Sequence, residues 1–392
     1  MKMDILYFDN AATSWPKPQE TIDAIGHFNA RIGANPGRSG HSLSIDAGRI
    51  LMDARETLAE LFGVDDMLRI IFTKNATEAL NLVISGLIKP GDHVITSSME
   101  HNSVMRPLRA LETQGMELSV TPCSPAGELD PHDVEKAVRP NTRAIIITHA
   151  SNVTGTIMPV KDIGTIARDH GIVFCVDAAQ SAGALAIDID ETKIDLLVFT
   201  GHKSLYGPQG TGGLYMGPGL EKQITPLMLG GTGSRSEFEA QPDFLPDKYE
   251  SGTPNAIGIA GLGAGARFVF DKGVKHIRNK EIELTARLLD GLTGIPGIII
   301  YGCRDAHAQT PVVSFNVTGM SPSETAMILD EDFGILSRPG LHCAPSAHKT
   351  IGTFSEGTLR FSLGWFNTSQ EVDYALDAVA QMASNCRKGA LS

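Results

Sequence analysis

The chain has 392 residues, of which 42% are hydrophobic and 20% charged, a globular composition long enough for two packed cores. Its formal net charge is −12 and no basic run interrupts it, which argues against nucleic acid as a partner and for a small-molecule substrate. Residues 1–15 lack the apolar stretch of a signal peptide, and no window reaches the ~18 apolar residues that span a bilayer. The expectation is a cytoplasmic protein without a membrane partner.

Five cysteines, Cys123, Cys175, Cys303, Cys343 and Cys386, are scattered without a CxxC pair. They read as reduced thiols, with neither a metal clip nor a disulfide framework.

In chain order, Leu51, Ala54, Leu58 and Leu61 recur at three- and four-residue spacing and predict a helix with one buried face. Short apolar runs then alternate with helical periodicity, as in a mostly parallel sheet with crossover helices. The predicted strands are Arg69–Thr73, His93–Ser97, Arg143–Thr148, Ile172–Val176, Leu196–Thr200 and Gly213–Met216. Their apolar continuity predicts burial on both faces. Residues 230–255, rich in Gly, Pro and charge, read as a long irregular excursion. Beyond about residue 265 the strands are sparser (Gly297–Tyr301, Val312–Val317, Gly334–Ser337, Thr358–Leu363), and an amphipathic helix closes the chain near 369–386. The pattern divides the chain into a large domain at 17–260 and a small one formed by 1–16 and 261–392.

Ligands of such sheets sit beyond the carboxyl ends of the strands. Lys203 follows one strand in Thr200-Gly-His-Lys203, ahead of a glycine-rich turn, where desolvation would lower its pKa and favour a neutral amine able to condense with an aldehyde. By position alone, a lysine after a strand is ordinarily a solvated surface residue. Asp177 ends another apolar run, followed by Gln180; it could hold a pyridinium nitrogen protonated, or equally cap a helix. Ala76-Thr77 open a helix whose N-terminus could take a phosphate, or merely be capped. His101, in Met99-Glu-His101, could stack on a flat cofactor and move protons, although a structural histidine is the commoner case. Cys343 lies in a turn-rich loop beside Arg338, His342 and His348, cationic groups that would favour its thiolate. Arg360 interrupts an apolar strand and suits a substrate carboxylate.

These segments resemble the class V aminotransferase family of fold-type I pyridoxal-phosphate enzymes, and within it the cysteine desulfurases and selenocysteine lyases. The resemblance runs from Tyr7-Phe-Asp-Asn-Ala-Ala-Thr13 to Asn367-Thr368. It implies an α/β fold with a mostly parallel seven-stranded sheet and a smaller α/β C-terminal domain bearing the cysteine loop. It further implies that Lys203 holds the aldehyde of pyridoxal 5′-phosphate, Asp177 its ring nitrogen and Gln180 its ring hydroxyl. His101 would stack on the ring, and Ala76, Thr77, Thr200 and His202 would hold the phosphate. Asn152, Arg338 and Arg360 match substrate-binding positions. Gly252-Thr253 matches a segment that reaches the phosphate of a neighbouring subunit, which implies a homodimer.

The short span from Cys343 to Arg360 resembles the SufS-like group, which serves sulfur metabolism such as iron–sulfur cluster assembly and hands its persulfide to an acceptor protein. The implied reaction converts L-cysteine to L-alanine, with Lys203 removing the Cα proton, His101 shuttling a proton and the Cys343 thiolate taking the sulfur. Alternatives are a selenocysteine lyase acting on L-selenocysteine, a class V aminotransferase in which Cys343 is incidental, and a non-catalytic sulfur-transfer scaffold. Ala76, Pro339 and the run Ala344–Lys349 depart from the commonest family pattern.

Overall fold

A computed structural model describes residues 5–37 and 39–389, with side chains up to residue 386. The chain enters on a short strand, β1 (Leu6–Tyr7), and crosses to a helix at Ser42–Phe62 whose Leu51, Ala54 and Leu58 are buried. The principal sheet is then laid down as β2 (Ile70–Thr73), β3 (His93–Ser97), β4 (Glu117–Thr121), β5 (Thr142–Thr148), β6 (Val173–Asp177), β7 (Leu196–Thr200) and β8 (Gly212–Met216). Their order across the sheet is β2-β8-β7-β6-β5-β3-β4. All pairings are parallel except those of β8, which is antiparallel to both β2 and β7.

The apolar continuity of these strands has a direct cause, because alternate residues serve two different cores. Ile95, Ile145, Ile147, Phe174, Val176, Leu197 and Phe199 face one layer, with helices Ser42–Phe62, Val160–Asp169 and Ala256–Lys272. Val94, Ala144, Ile146, Cys175, Leu196 and Val198 face the other, with helix Ala76–Leu87 and helix Asn102–Glu112. A sheet covered on both sides cannot alternate polar and apolar residues. The edge strand β4, Glu117-Leu-Ser-Val-Thr121, is mostly half-exposed and was not among the predicted strands.

From residue 223 to 255 the chain forms neither helix nor strand. The expected division at residue 260 falls inside helix Ala256–Lys272, which packs on helix Ser42–Phe62 so closely that a Cβ on Gly263 would lie 2.7 Å from Ala54 Cβ. After helix Val274–Thr293 come β9 (Ile298–Tyr301), β10 (Val312–Val317), β11 (Ile335–Leu336), β12 (Arg338–Gly340) and β13 (Thr358–Ser362). They form a four-stranded antiparallel sheet, β12-β13-β10-β9, while β11 pairs in parallel with β1.

Phe8, Phe315 and Phe361 stack edge-to-face under this second sheet, against the last helix, Ser369–Gly389. The N-terminal segment is therefore stitched into the C-terminal core, with Phe8 N–H donating to Leu336 and Ser362 N–H donating to Phe8. No helix of the described residues is long and apolar enough to cross a membrane.

Two features of this topology place a site. The strand order reverses between β3 and β5, where loops leaving the carboxyl edge diverge and open a crevice. In the second sheet, Arg338 on β12 pairs directly with Arg360 on β13, so two guanidiniums stand side by side over that crevice.

Candidate active site

A cavity of about 220 Å³ occupies the crevice. It is lined by Ala76, Thr77, His101, Asn152, Asp177, Gln180, Thr200, His202, Lys203, Arg338, Cys343 and Arg360, which brings together all but two of the sequence-predicted site residues.

Lys203 sits on the turn after β7. Ser14 Oγ donates to its carbonyl at 2.9 Å, and Lys17 Nζ donates to the carbonyl of His202 at 2.8 Å. Gly183, at φ +90°, lies against the same turn; a Cβ there would come within 2.3 Å of the Ser204 carbonyl oxygen. Only glycine tolerates both that backbone angle and that approach. Burial pushes the Lys203 pKa down from 10.5 to about 8, against the pull of the Asp177 carboxylate and with help from Arg360 and Arg338.

Asp177 is the last residue of β6 rather than the first beyond it. It caps a turn and not a helix, through Ala179 N–H donating to Oδ1 at 2.9 Å. Burial raises its pKa, while that hydrogen bond and the Lys203 charge oppose the rise. Gln180 beside it donates to the Ala11 carbonyl at 3.1 Å.

At one end of the cavity two helix N-termini converge. Asn75 caps helix Ala76–Leu87 by accepting from Glu78 N–H at 2.9 Å, and Thr77 Oγ1 lies 2.8 Å from Ser103 Oγ in the first turn of helix Asn102–Glu112. The paired hydroxyls and the free backbone donors of both helices make an anion site. His202 adds a buried Nδ1 without a hydrogen-bond partner among the described residues.

His101 caps the second helix, its Nδ1 accepting from Ser103 N–H at 3.0 Å. That bond assigns the ring proton to Nε2. Burial, reinforced by Lys203 and nearby arginines, pushes the imidazole down to about 4, so it is neutral at physiological pH.

At the other end, Arg360 is 1% exposed, and its anion is internal: Nη2 pairs with Asp9 Oδ1 at 2.7 Å and Nη1 donates to the Asn152 carbonyl at 3.0 Å. Asp9, on the N-terminal segment, thus supplies an anion for the buried guanidinium from within the chain. Arg360 Nε has no partner among the described residues. Asn152 donates through Nδ2 to the His342 carbonyl at 2.6 Å, tying the cavity wall to the cysteine loop.

Cys343 is exposed at the mouth, and both His342 and Cys343 hold left-handed backbone, at φ 49° and 60°. Two successive non-glycine residues there are a strained turn that the surroundings must hold. The holding bonds are Asn102 N–H to the Cys343 carbonyl at 2.8 Å and Asn152 to His342. Arg338 Nη2 lies 4.0 Å from Cys343 Sγ.

The reading of His342 and His348 as cations beside the thiol is overturned. His342 is 3% exposed, and burial together with the neighbouring guanidiniums drives it to about 2; His348 is fully buried, bonded to Thr353 Oγ1 at 2.7 Å and driven to about 4. Arg338 is left as the cation at the sulfur.

Gly252 and Thr253 line a separate groove with Phe72, Lys74 and Tyr249. Conversely, Ser103, Asn75 and Asp9 belong to the site without having been singled out. Ser103 was detectable as the hydroxyl two residues past His101; Asp9 required the pairing of the two chain ends.

A family model described as Aminotransferase class-V matches residues 6–375. A probable cysteine desulfurase of Methanothermobacter thermautotrophicus is 37% identical over 384 residues, covering 97% of this chain and 95% of that one. Among solved structures, the apo cysteine desulfurase of Thermococcus onnurineus superposes with a TM-score of 0.92 at 35% identity, covering 97% of this chain and 95% of its own. The cysteine desulfurase CsdA of Escherichia coli, in an S-sulfonic acid form, gives 0.87 at 29% identity, with 97% and 95% covered.

Proposed function

Because the chain belongs to the class V aminotransferase family, we propose that it is a pyridoxal-phosphate-dependent cysteine desulfurase, converting L-cysteine to L-alanine and retaining the sulfur on Cys343. The observation that carries this reading is one cavity holding a desolvated lysine, a buried carboxylate, a neutral histidine and an anion site, with an exposed cysteine at its mouth.

The donor set fits the cofactor. Lys203 would hold its aldehyde, Asp177 its ring nitrogen and Gln180 its hydroxyl, with His101 against the ring. Thr77, Ser103, Thr200, His202 and the helix N–H groups from Ala76 would hold the phosphate, for which the unpartnered His202 Nδ1 supports the assignment. When bound, the cofactor supplies an electron sink for charge developing at Cα.

The chain's own residues do the rest. Arg360 and Asn152 hold the substrate carboxylate, with Arg338 beside them. A Lys203 amine with a pKa near 8 is partly neutral at physiological pH and accepts the Cα proton. The Cys343 thiolate attacks the substrate sulfur; the new S–S bond forms as the C–S bond breaks, its electron pair stays on Cβ, which takes up a proton, and a proton returned to Cα completes alanine. The neutral His101, which lines the cavity and carries its proton on Nε2, is the imidazole assigned to shuttle a proton.

The reading includes a homodimer joined through the groove at Gly252-Thr253, supported by exposed Leu227, Met228, Leu229 and Phe238 nearby in the chain. Sedimentation tests that part.

The test of the reaction is Cys343→Ala. It is expected to retain the visible absorbance of bound cofactor and to form no alanine from L-cysteine. Wild-type turnover in that variant would sink the assignment, whereas turnover confined to L-selenocysteine would favour the lyase.

A further inference from the structure

Behind the turn that carries Lys203 lies a second, much smaller cavity of about 20 Å³, room for one or two atoms the size of a water oxygen. Three parts of the chain close it. The N-terminal segment brings Asn10, the loops after β6 and β7 bring Gln180 and Ser204, and the C-terminal core brings Glu281, Thr310 and Ser362. Ala11 and Gln180 line this cavity and the active-site cavity alike, joined by a hydrogen bond from Gln180 Nε2 to the Ala11 carbonyl at 3.1 Å.

The lining is rich in oxygen and holds one acidic group. Glu281, on helix Val274–Thr293, is 1% exposed, and its Oε2 has no hydrogen-bond partner among the described residues. An ionised carboxylate in that position is strongly unfavourable unless a cation or a proton neutralises it. No lysine, arginine, histidine or cysteine lines the cavity among the described residues. The cations on the same helix are committed to carbonyls, Arg278 Nη2 to those of Ala306 and His307 at 2.9 and 3.0 Å and Lys280 Nζ to that of Trp365 at 2.5 Å. The neutral side chains keep acceptor capacity. Gln180 gives Nε2 to Ala11 and retains Oε1, while Thr310 Oγ1 donates to the Gly155 carbonyl at 3.3 Å and retains its lone pairs.

We propose that this cavity binds a single potassium ion, with Glu281 as its one anionic ligand. Oxygen donors without sulfur or imidazole select a hard cation. One carboxylate balances one positive charge, whereas calcium draws on several, and no cluster of three acidic, histidine or cysteine side chains exists among the described residues to supply them. A space that admits a water-sized sphere matches potassium, while sodium is smaller and would have to draw the walls inward. The ion would tie three segments through one centre directly beneath the Lys203 turn, since Ser204 is the next residue and Ser14, also in the lining, bonds the Lys203 carbonyl at 2.9 Å. The site is independent of the sulfur chemistry and of the desulfurase reading.

The competing arrangement is a water bridging Glu281 to Arg278 Nη1, which is likewise buried without a partner among the described residues. The two differ in their response to salt. Burial raises the Glu281 pKa from 4.5 to about 8, so holoenzyme is melted at about pH 8.5, where the proton yields to a metal. The chlorides of potassium, sodium and tetramethylammonium are compared at one ionic strength, the last ion being too large for the cavity. The midpoint in potassium is expected to lie about 2–4 °C above that in tetramethylammonium, to rise with potassium concentration, and to exceed that in sodium. In Glu281→Gln the potassium advantage is expected to vanish.

Thallium(I) is the direct probe, because its anomalous scattering marks a potassium position in wild-type crystals whether or not the variant folds. Density is expected in the cavity, within ligand distance of Glu281. Equal midpoints in the three salts, a potassium advantage that persists in Glu281→Gln, or a cavity without thallium density overturns the site. A higher midpoint in sodium than in potassium overturns the choice of ion.

Discussion

The state of Lys203 can be read directly from its reaction with an aldehyde. Lowering its pKa from 10.5 to about 8 leaves about a quarter of the amine neutral at pH 7.5, against about one part in a thousand for an ordinary lysine, a gain of some two hundredfold. Protein stripped of cofactor and treated with a small aromatic aldehyde and a mild reductant is expected to label Lys203 with a midpoint near pH 8. Peptide mass mapping gives the extent of labelling, with the exposed Lys89 as reference in the same sample. The neighbours fix the signs: Asp177→Asn removes the charge that holds the pKa up and moves the midpoint lower, whereas Arg338→Gln removes a cation and moves it higher. Labelling of Lys203 that parallels Lys89 across the pH series, or shifts of the same sign in both variants, would refute the assignment.

Two further outcomes concern stability. Glu100 is fully buried, accepts Thr148 N–H at 2.9 Å and bonds Ser97 Oγ at 2.6 Å, and burial raises its pKa from 4.5 to about 8. With the folded pKa raised, the stabilisation is full below pH 4.5, declines above it and is lost as pH rises through 8, so Glu100→Gln should gain about 3–5 kcal/mol on wild type between pH 5 and 8; parallel urea curves at the two pH values would contradict this. Gly183→Ala forces a left-handed alanine against the Ser204 carbonyl and is expected to cost about 2–4 kcal/mol in a thermal melt and to slow aldehyde labelling of Lys203, while an unaltered melt would show that the turn relaxes freely.

What the sequence revealed depended on how local the cause was. Strands β2, β3, β5, β6, β7 and β8 were predicted to within a residue at each end, because burial on two faces writes itself as an unbroken apolar run. The edge strand β4 escaped because Glu117, Leu118, Ser119 and Val120 meet solvent on one side or the other. Residues tied to strand ends, Lys203, Asp177, Thr200 and His101, were legible for the same reason. The protonation of His342 and His348 was not, since it depends on burial under distant segments, and the partner of Arg360 lies 351 residues away in sequence. Ser103 joined the anion site only because two helix starts converge in space.

The hydrogen bond from Asn102 N–H to the Cys343 carbonyl makes the Cys343 loop part of the cap of the helix that begins beside His101. Free energy linked through a shared contact is reciprocal. Whatever draws Cys343 outward must uncover the first turn of that helix, and whatever fixes His101 and Ser103 against a bound anion also tightens the turn that holds Cys343. Loading the inner end of the cavity and unloading its outer end thus act on one bond from opposite sides.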